Sequence, residues 1–235
     1  MRKGIVIICA RSGSKGIKNK NLKKIGNLSL VERSIYIAKK LKNIKQIIVS
    51  TDSIKIANKA KNLGALVPEL RPKYLSKDIT PEINVWKYLV ELLEKKKELK
   101  FNLKKDYLVS LSPTAPLRSV EDVKKGIKKF LSNKKNDALV SINESHRNPY
   151  FNMVTKSKNR LSMVCKSKKR IFRRQDSPQV YDMNTVVYVL KPDFIIKAKH
   201  LFEGRISGVI IPKNRSIDID DEIDLKFARV MNEKR

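Results

Sequence analysis

GIVIICARSGSKGIKNKNL, residues 4–22, decides the reading of this chain. It opens as an apolar, β-branched run at 4–9 and passes directly into a polar stretch rich in Gly, Lys, Arg and Asn. A buried strand that empties into a glycine loop is the first βα turn of an open α/β sheet, and ligands of such sheets lie beyond the carboxyl ends of the strands. Gly13 and Gly16 let a ligand approach the backbone, while Arg11, Lys15 and Lys20 bring cations to the same loop, a combination suited to a polyphosphate. The spacing is neither GxxxxGK[ST] nor GxGxxG, so neither an ATPase nor a dehydrogenase follows from it.

Working outward, further β-branched runs at 46–50, 107–111, 138–142, 185–190 and 208–211 alternate with amphipathic stretches at 30–42, 53–63, 81–99, 120–131 and 221–232. That alternation predicts an α/β fold, Rossmann-like, with a mostly parallel sheet and helices on both faces. Helix ends are legible: Thr80 before Pro81 reads as an N-cap, Ser119 with Asp122 as a capping box, and Gly64 as a C-terminal stop. The alternation breaks at about 141–182, where Lys-rich polar residues surround RNPYFNMV and IFRRQDSPQVYDMN, which predicts an insertion or dimerisation arm. With no internal repeat and no Gly/Ser linker, residues 1–235 read as a single domain carrying that arm.

Composition narrows the classes. With 41% hydrophobic residues over 235 positions, a chain can bury about 70% of its unfolded surface, so a packed core is expected without disulfides or metal. Cys9 and Cys165 lack CxxC spacing, and His146 and His200 have no neighbours at ligand spacing, which argues against zinc. Arg11 interrupts the first apolar run before it reaches the length of a signal-peptide core, and no run approaches the ~20 apolar residues of a membrane span, so a soluble, cytoplasmic protein is expected. The formal charge of +30 raises nucleic acid as a partner. However, it comes from 39 Lys and 14 Arg scattered over nearly every segment, whereas readers of bases and phosphates cluster Arg on one face. Nucleic-acid binding therefore stays as the alternative from another class, and attraction of anionic substrates is the expected use of the charge.

A second motif, SIDIDDEIDL at 216–225, places acids in this basic chain. If the segment is extended, Asp218 and Asp220 share a face and can hold a divalent cation that bridges phosphate oxygens. Asp221, Glu222 and Asp224 belong to the start of the following helix, where negative charge suits the dipole. A cationic glycine loop with paired aspartates points to attack on a nucleoside triphosphate.

These pieces, with VSTD at 49–52, RP at 71–72, SKD at 76–78, PTAPLR at 113–118, RRQ and YDMN within 173–184, and VVYV at 186–189, occur in one order over nearly the whole chain. In that order the chain resembles the acylneuraminate cytidylyltransferases, or CMP-sialic acid synthetases. The resemblance implies a nucleotide-diphospho-sugar transferase type of sheet, a homodimer, and transfer of CMP from CTP to the anomeric hydroxyl of a nine-carbon keto-deoxy sugar acid. It also implies roles: Arg11, Gly13, Lys20 and Asn21 contact the nucleotide with help from Lys15, and Arg71 holds cytosine or ribose. Asp218 and Asp220 would carry Mg²⁺. Tyr188 faces the sugar, Arg174 and Gln175 sit near it, and Phe202 reaches it from the partner subunit. No histidine falls in a matching piece, so metal-assisted deprotonation of the sugar hydroxyl is expected in place of a general base. RNPYFNMV and RRQDSPQVYDMN look like the CMP-legionaminic acid synthetases, and Asp182-Met183-Asn184 replaces the Arg-Pro-Asn of sialic acid enzymes. The enzyme alternative is a related transferase such as CMP-3-deoxy-octulosonate synthetase.

Overall fold

The computed structural model describes residues 2–14, 16–96, 101–167 and 170–233. β1 (Gly4–Cys9) is fully sandwiched: Val6 and Ile8 enter one apolar layer, Ile5 and Ile7 the other, and all four are inaccessible to solvent. Burial on both faces is why the strand is an unbroken apolar run and not an alternating one. After it come the small hairpin β2 (Lys24–Ile25) and β3 (Leu28–Ser29), α1 (Leu30–Lys39), β4 (Ile44–Ser50), α2 (Ile54–Asn62), α3 (Glu82–Lys95) and β5 (Tyr107–Ser110). The second half supplies α4 (Val120–Ser132), β6 (Ala138–Glu144), the hairpin β7 (Val154–Ser157) and β8 (Arg160–Met163), β9 (Tyr181–Leu190), α5 (Pro192–Lys197), β10 (Ile206–Ile210) and α6 (Glu222–Glu233).

The central sheet has the order β10-β6-β9-β5-β1-β4. β9 runs antiparallel to β5 and β6, and the other pairings are parallel. From β1 the chain steps to one side for β4 and to the other for β5, which makes the end of β1 a topological switch point. Helices cover both faces. Val31, Ile35 and Ala38 of α1, Ile56 and Ala60 of α2, and Val123 and Phe130 of α4 pack on one. Trp86, Leu89 and Leu93 of α3 and Ile195 of α5 pack on the other. A third cluster joins Ile17, Leu117 and Ile219 to Leu225 and Ala228 of α6, and so fastens the glycine loop to the distant acidic segment.

Local chemistry decides the ends. Ser119 and Asp122 form the expected reciprocal capping box, and Gly64 takes φ 74 just past α2. Thr80 is not a cap: its hydroxyl donates to the Tyr74 carbonyl, and Pro81 occupies the N-cap position. The break in alternation is narrower than 141–182, because β6 runs on to Glu144 and β9 begins at Tyr181, with Ser141 opposite Asn184 and Glu144 opposite Tyr181. Between them projects the β7–β8 hairpin, all of whose residues are exposed.

Candidate active site

A cavity of about 230 Å³ opens beyond the carboxyl ends of β1 and its neighbours, and Arg11, Lys20, Asn21 and Arg71 all line it. The loop that delivers the first three is pinned at several points. Ser12 donates its amide and hydroxyl to the two Asp52 carboxylate oxygens, both at 2.7 Å. Asn19 adopts the left-handed conformation, φ 56, and starts a 3₁₀ turn at Lys20–Leu22. Asn21, buried, closes the loop by donating Nδ2 to the Arg11 carbonyl at 2.9 Å, while its Oδ1 has no hydrogen-bond partner among the described residues. Gly16 lies against the Asp220 carbonyl, so that a Cβ would collide with it. Gly13 has open space on the Cβ side, and Lys15 lies outside the described residues.

Lys20 spans the two motifs. Its Nζ donates to the Ile219 carbonyl at 2.6 Å and lies 3.3 Å from Asp220 Oδ1. The Ile219 amide donates to the Thr114 carbonyl at 2.8 Å, which ties the acidic segment to PTAPLR as well. The segment 216–220 belongs to no strand, and its bonds go to loops. Asp218 and Asp220 consequently meet different surroundings. Asp220 has a side chain 82% exposed, whereas Asp218 is partly buried and its Oδ1 is shielded from solvent without a partner among the described residues. Asp221 and Asp224 cap α6 reciprocally, each accepting the other's amide at 3.1 Å or less.

Neither aspartate lines the cavity, but an orphaned carboxylate oxygen is what a hard divalent cation would satisfy, so Asp218 fits an Mg²⁺ ligand. Among the described residues no group of three or more His, Cys, Asp or Glu gathers for metal binding. Two carboxylates would leave most of an Mg²⁺ ion's coordination sphere to water and substrate oxygens.

Around the cavity lie residues to which motif reading gave no role: Asp78 and Glu82 line it, whereas Arg118 does not. Arg11 is ion-paired with Asp78, across the mouth of the cavity. Arg118 is buried and donates to the Ser112 carbonyl, but its Nε and Nη1 have no partner among the described residues. Burial pulls its guanidinium down to about 9, against the pull of Asp218 and Asp122. Arg71, also buried, is held by Nε to Ser50 Oγ at 3.0 Å and by Nη2 to the Ser50 carbonyl. Glu82, partly buried, lines the same cavity, and burial pushes its carboxyl above the usual range while Arg71 opposes this. Asp78 and Arg118 lie in quoted motifs; Glu82 reads in sequence only as an acid at a helix start.

The residues expected at the sugar divide. Tyr188 on β9 packs edge-on against Trp86, with centroids 5.9 Å apart, and burial pushes its phenol up to about 12, helped by Glu82 and Asp218. Arg174 and Gln175 line a separate cavity of about 580 Å³ with Glu144 and Asn148, and Arg174 donates to the Ser145 carbonyl. Phe202 is 65% exposed and lines neither cavity. A single chain therefore joins the nucleotide set and leaves the sugar set dispersed.

Comparison with known proteins places this geometry. The family model described as "Cytidylyltransferase" matches residues 5–228. "Post-translational flagellin modification protein B" of Campylobacter coli is 36% identical over 225 residues, covering 95% of this chain and 92% of the relative. The "CMP-N,N'-diacetyllegionaminic acid synthase" of Campylobacter jejuni has the same identity and coverage, 36% with 95% and 92%. Among solved structures, CMP:2-keto-3-deoxy-manno-octonic acid synthetase complexed with CTP superposes with a TM-score of 0.70 over 99% of each chain at 14% identity, a likeness of fold. With its glycine loop and acidic segment joined at the switch point of such a sheet, the chain belongs to the cytidylyltransferase family of nucleotidyltransferases.

Proposed function

We propose that this protein transfers CMP from CTP to the anomeric hydroxyl of a nine-carbon 2-keto-3-deoxy sugar acid and releases pyrophosphate. The observation that carries the reading is Lys20, which lines the cavity and joins the glycine loop to the acidic segment. Arg11 and Lys20 hold the triphosphate and stabilise the charge that develops on pyrophosphate as it leaves. Asn21 keeps the loop closed, with its free Oδ1 available to the nucleotide. The sugar hydroxyl attacks the α-phosphorus in line, so the protein contributes mainly position and charge neutralisation. Asp218 and Asp220 would hold Mg²⁺, which when bound would polarise the α-phosphate and acidify the attacking hydroxyl.

The preferred acid is assigned to the legionaminic type. Support comes from the relative of that printed name and from Asp182-Met183-Asn184, whose Asn184 Nδ2 donates to Asn143 Oδ1 at 3.1 Å at the base of the arm. The protein acts as a homodimer through the arm at about 141–182. Exposed Val154, Leu161 and Val164 of the hairpin region support that role, and Phe202 then reaches the sugar bound by the partner subunit. A cytoplasmic location belongs to the same reading, supported by two unpaired cysteines and by the absence, among the described residues, of a helix long and apolar enough to cross a membrane.

The test is pyrophosphate release with CTP against a panel of N,N'-diacetyllegionaminic, N-acetylneuraminic and eight-carbon 3-deoxy-octulosonic acids. Turnover of the nine-carbon acids, with the legionaminic acid ahead in kcat/KM, supports the assignment. Preference for the eight-carbon acid would replace it.

A further inference from the structure

At the opposite end of the sheet from the candidate active site lies a hollow of about 310 Å³. Gly4, Ile44 and Tyr107 open the parallel strands β1, β4 and β5, so this end is one strand length from their carboxyl ends. Six residues of β1 at ~3.3 Å each put about 20 Å between the hollow and the nucleotide cavity. The two share no lining residue.

The hollow has an apolar floor and a cationic rim. Ile127 and Leu131, one turn apart on α4, and the ring of Tyr107 form the floor, and all three pack with the same apolar layer. Arg2, Lys42 and Lys134 stand around it, exposed, and no acidic residue lines it. None of the three cations makes an ion pair among the described residues. Asp106, beside Tyr107 in sequence, is engaged elsewhere: Lys45 Nζ donates to it at 2.6 Å and the Asn102 amide at 2.9 Å. Single exposed lysines are ordinary in so basic a chain, but three cations that converge on one hollow repel each other until an anion joins them.

Tyr107 adds a directional group. It is 2% exposed, its ring lies so close to Gly4 that a Cβ there would strike Cε2 and Cζ, and its hydroxyl has no hydrogen-bond partner among the described residues. Burial, helped by Asp106, pushes its phenol up, so the hydroxyl keeps its proton and can donate. A buried donor without a partner costs free energy that a ligand oxygen recovers.

A phosphomonoester matches both parts of the hollow. Near neutrality it carries nearly two negative charges and three acceptor oxygens, which suit three cations and one hydroxyl. An apolar body on the phosphate covers Ile127 and Leu131, surface that bare phosphate leaves wet. We propose that this hollow is a second ligand site, separate from the nucleotide cavity, for a phosphomonoester that carries an aromatic or aliphatic body.

The experiment titrates the nitrogen-15-labelled protein with phenyl phosphate, inorganic phosphate and phenol, and follows the amide shifts. Expected are saturable shifts from phenyl phosphate at Asn43, Leu131 and Lys134, with inorganic phosphate at least about tenfold weaker, since it leaves the apolar floor uncovered, and phenol without effect. Joint substitution of Lys42→Glu and Lys134→Glu, both at exposed positions, should weaken phenyl phosphate by at least about tenfold, and Tyr107→Phe by about threefold. Lys20→Ala, in the nucleotide cavity, should leave this binding unchanged. Flotation with phosphatidylcholine vesicles that contain phosphatidic acid separates the sources of the phosphate: capture that the charge-reversed protein loses identifies a lipid phosphate, and saturation by phenyl phosphate without capture identifies a free phosphoester. Shifts confined to residues 10–22 in the wild type, equal affinity for inorganic and phenyl phosphate, or binding that the charge reversal leaves intact overturns the proposal. The first two of these readings need no variant.

Discussion

Gly16 and Asp220 meet backbone to backbone: no Cβ fits at Gly16 without striking the Asp220 carbonyl. That approach lets Lys20, which lines the cavity, reach the Ile219 carbonyl.

Gly16→Ala should therefore separate the two motifs. The expected outcome is a loss of at least about tenfold in kcat, because misplacement of charged groups by a fraction of an ångström weakens transition-state stabilisation by about 1.4 kcal/mol or more. Gly13→Ala, with open space at its Cβ, should leave thermal stability unchanged and raise only the KM for CTP. Equal effects of the two substitutions in steady-state assays would show that the close approach has no catalytic role.

Asp218→Asn and Asp220→Asn should each slow turnover without lowering the melting temperature. The effect should be larger at Asp218, whose Oδ1 is shielded and unpartnered, than at Asp220, which is mostly exposed. Both variants should need more Mg²⁺ for half-maximal rate, and EDTA should abolish wild-type activity. Titration of rate against Mg²⁺ checks this, and wild-type curves for both variants would place the ion elsewhere.

How much of this was legible before the fold was known follows from what kind of force placed each residue. β1, β5 and β6 are visible because burial on both faces demands unbroken apolar runs, and Arg11, Lys20 and Asn21 are visible because they follow β1 directly. β9 starts at Tyr181, earlier than its apolar stretch, because the exposed residues 181–183 are held by pairing with β6 and not by burial. α5 escapes periodicity because six residues hold fewer than two turns. The β7–β8 hairpin has no buried face to leave a pattern. Asp78 lies in the SKD piece, but Glu82 reaches the cavity only through the packing of the whole 73–82 stretch, a tertiary outcome with no local signature.

Asp122 should make the fold acid-sensitive. Its carboxylate is buried, which alone would raise its pKa, but two bonds from Arg215 at 2.8 and 2.9 Å and the Ser119 cap hold it below the ordinary aspartate value. A depressed folded-state pKa contributes stability that is present above the unfolded pKa and is lost as pH falls through the folded one. Asp122→Ala should cost about 3 kcal/mol near neutrality, since it removes the partner of Arg215, and in acid, as pH falls through the depressed folded-state pKa, the two proteins should converge in stability. Urea unfolding at both pH values checks this; a gap that persists unchanged in acid would assign the effect to packing.

Sedimentation under assay conditions should show a dimer at micromolar concentration, and removal of hairpin residues 154–163 should yield monomer with impaired sugar KM, because Phe202 lies outside both cavities of its own chain. A fully active monomer would remove the arm and Phe202 from the sugar site.

The most direct test of the central claim is mass spectrometry of the product formed from CTP, Mg²⁺ and N,N'-diacetyllegionaminic acid, with pyrophosphate counted in parallel. The account predicts a CMP-linked nonulosonate formed one-for-one with pyrophosphate, and little product when ATP or GTP replaces CTP. Equal turnover of ATP, or pyrophosphate release without a CMP-sugar from any nine-carbon acid, would contradict it.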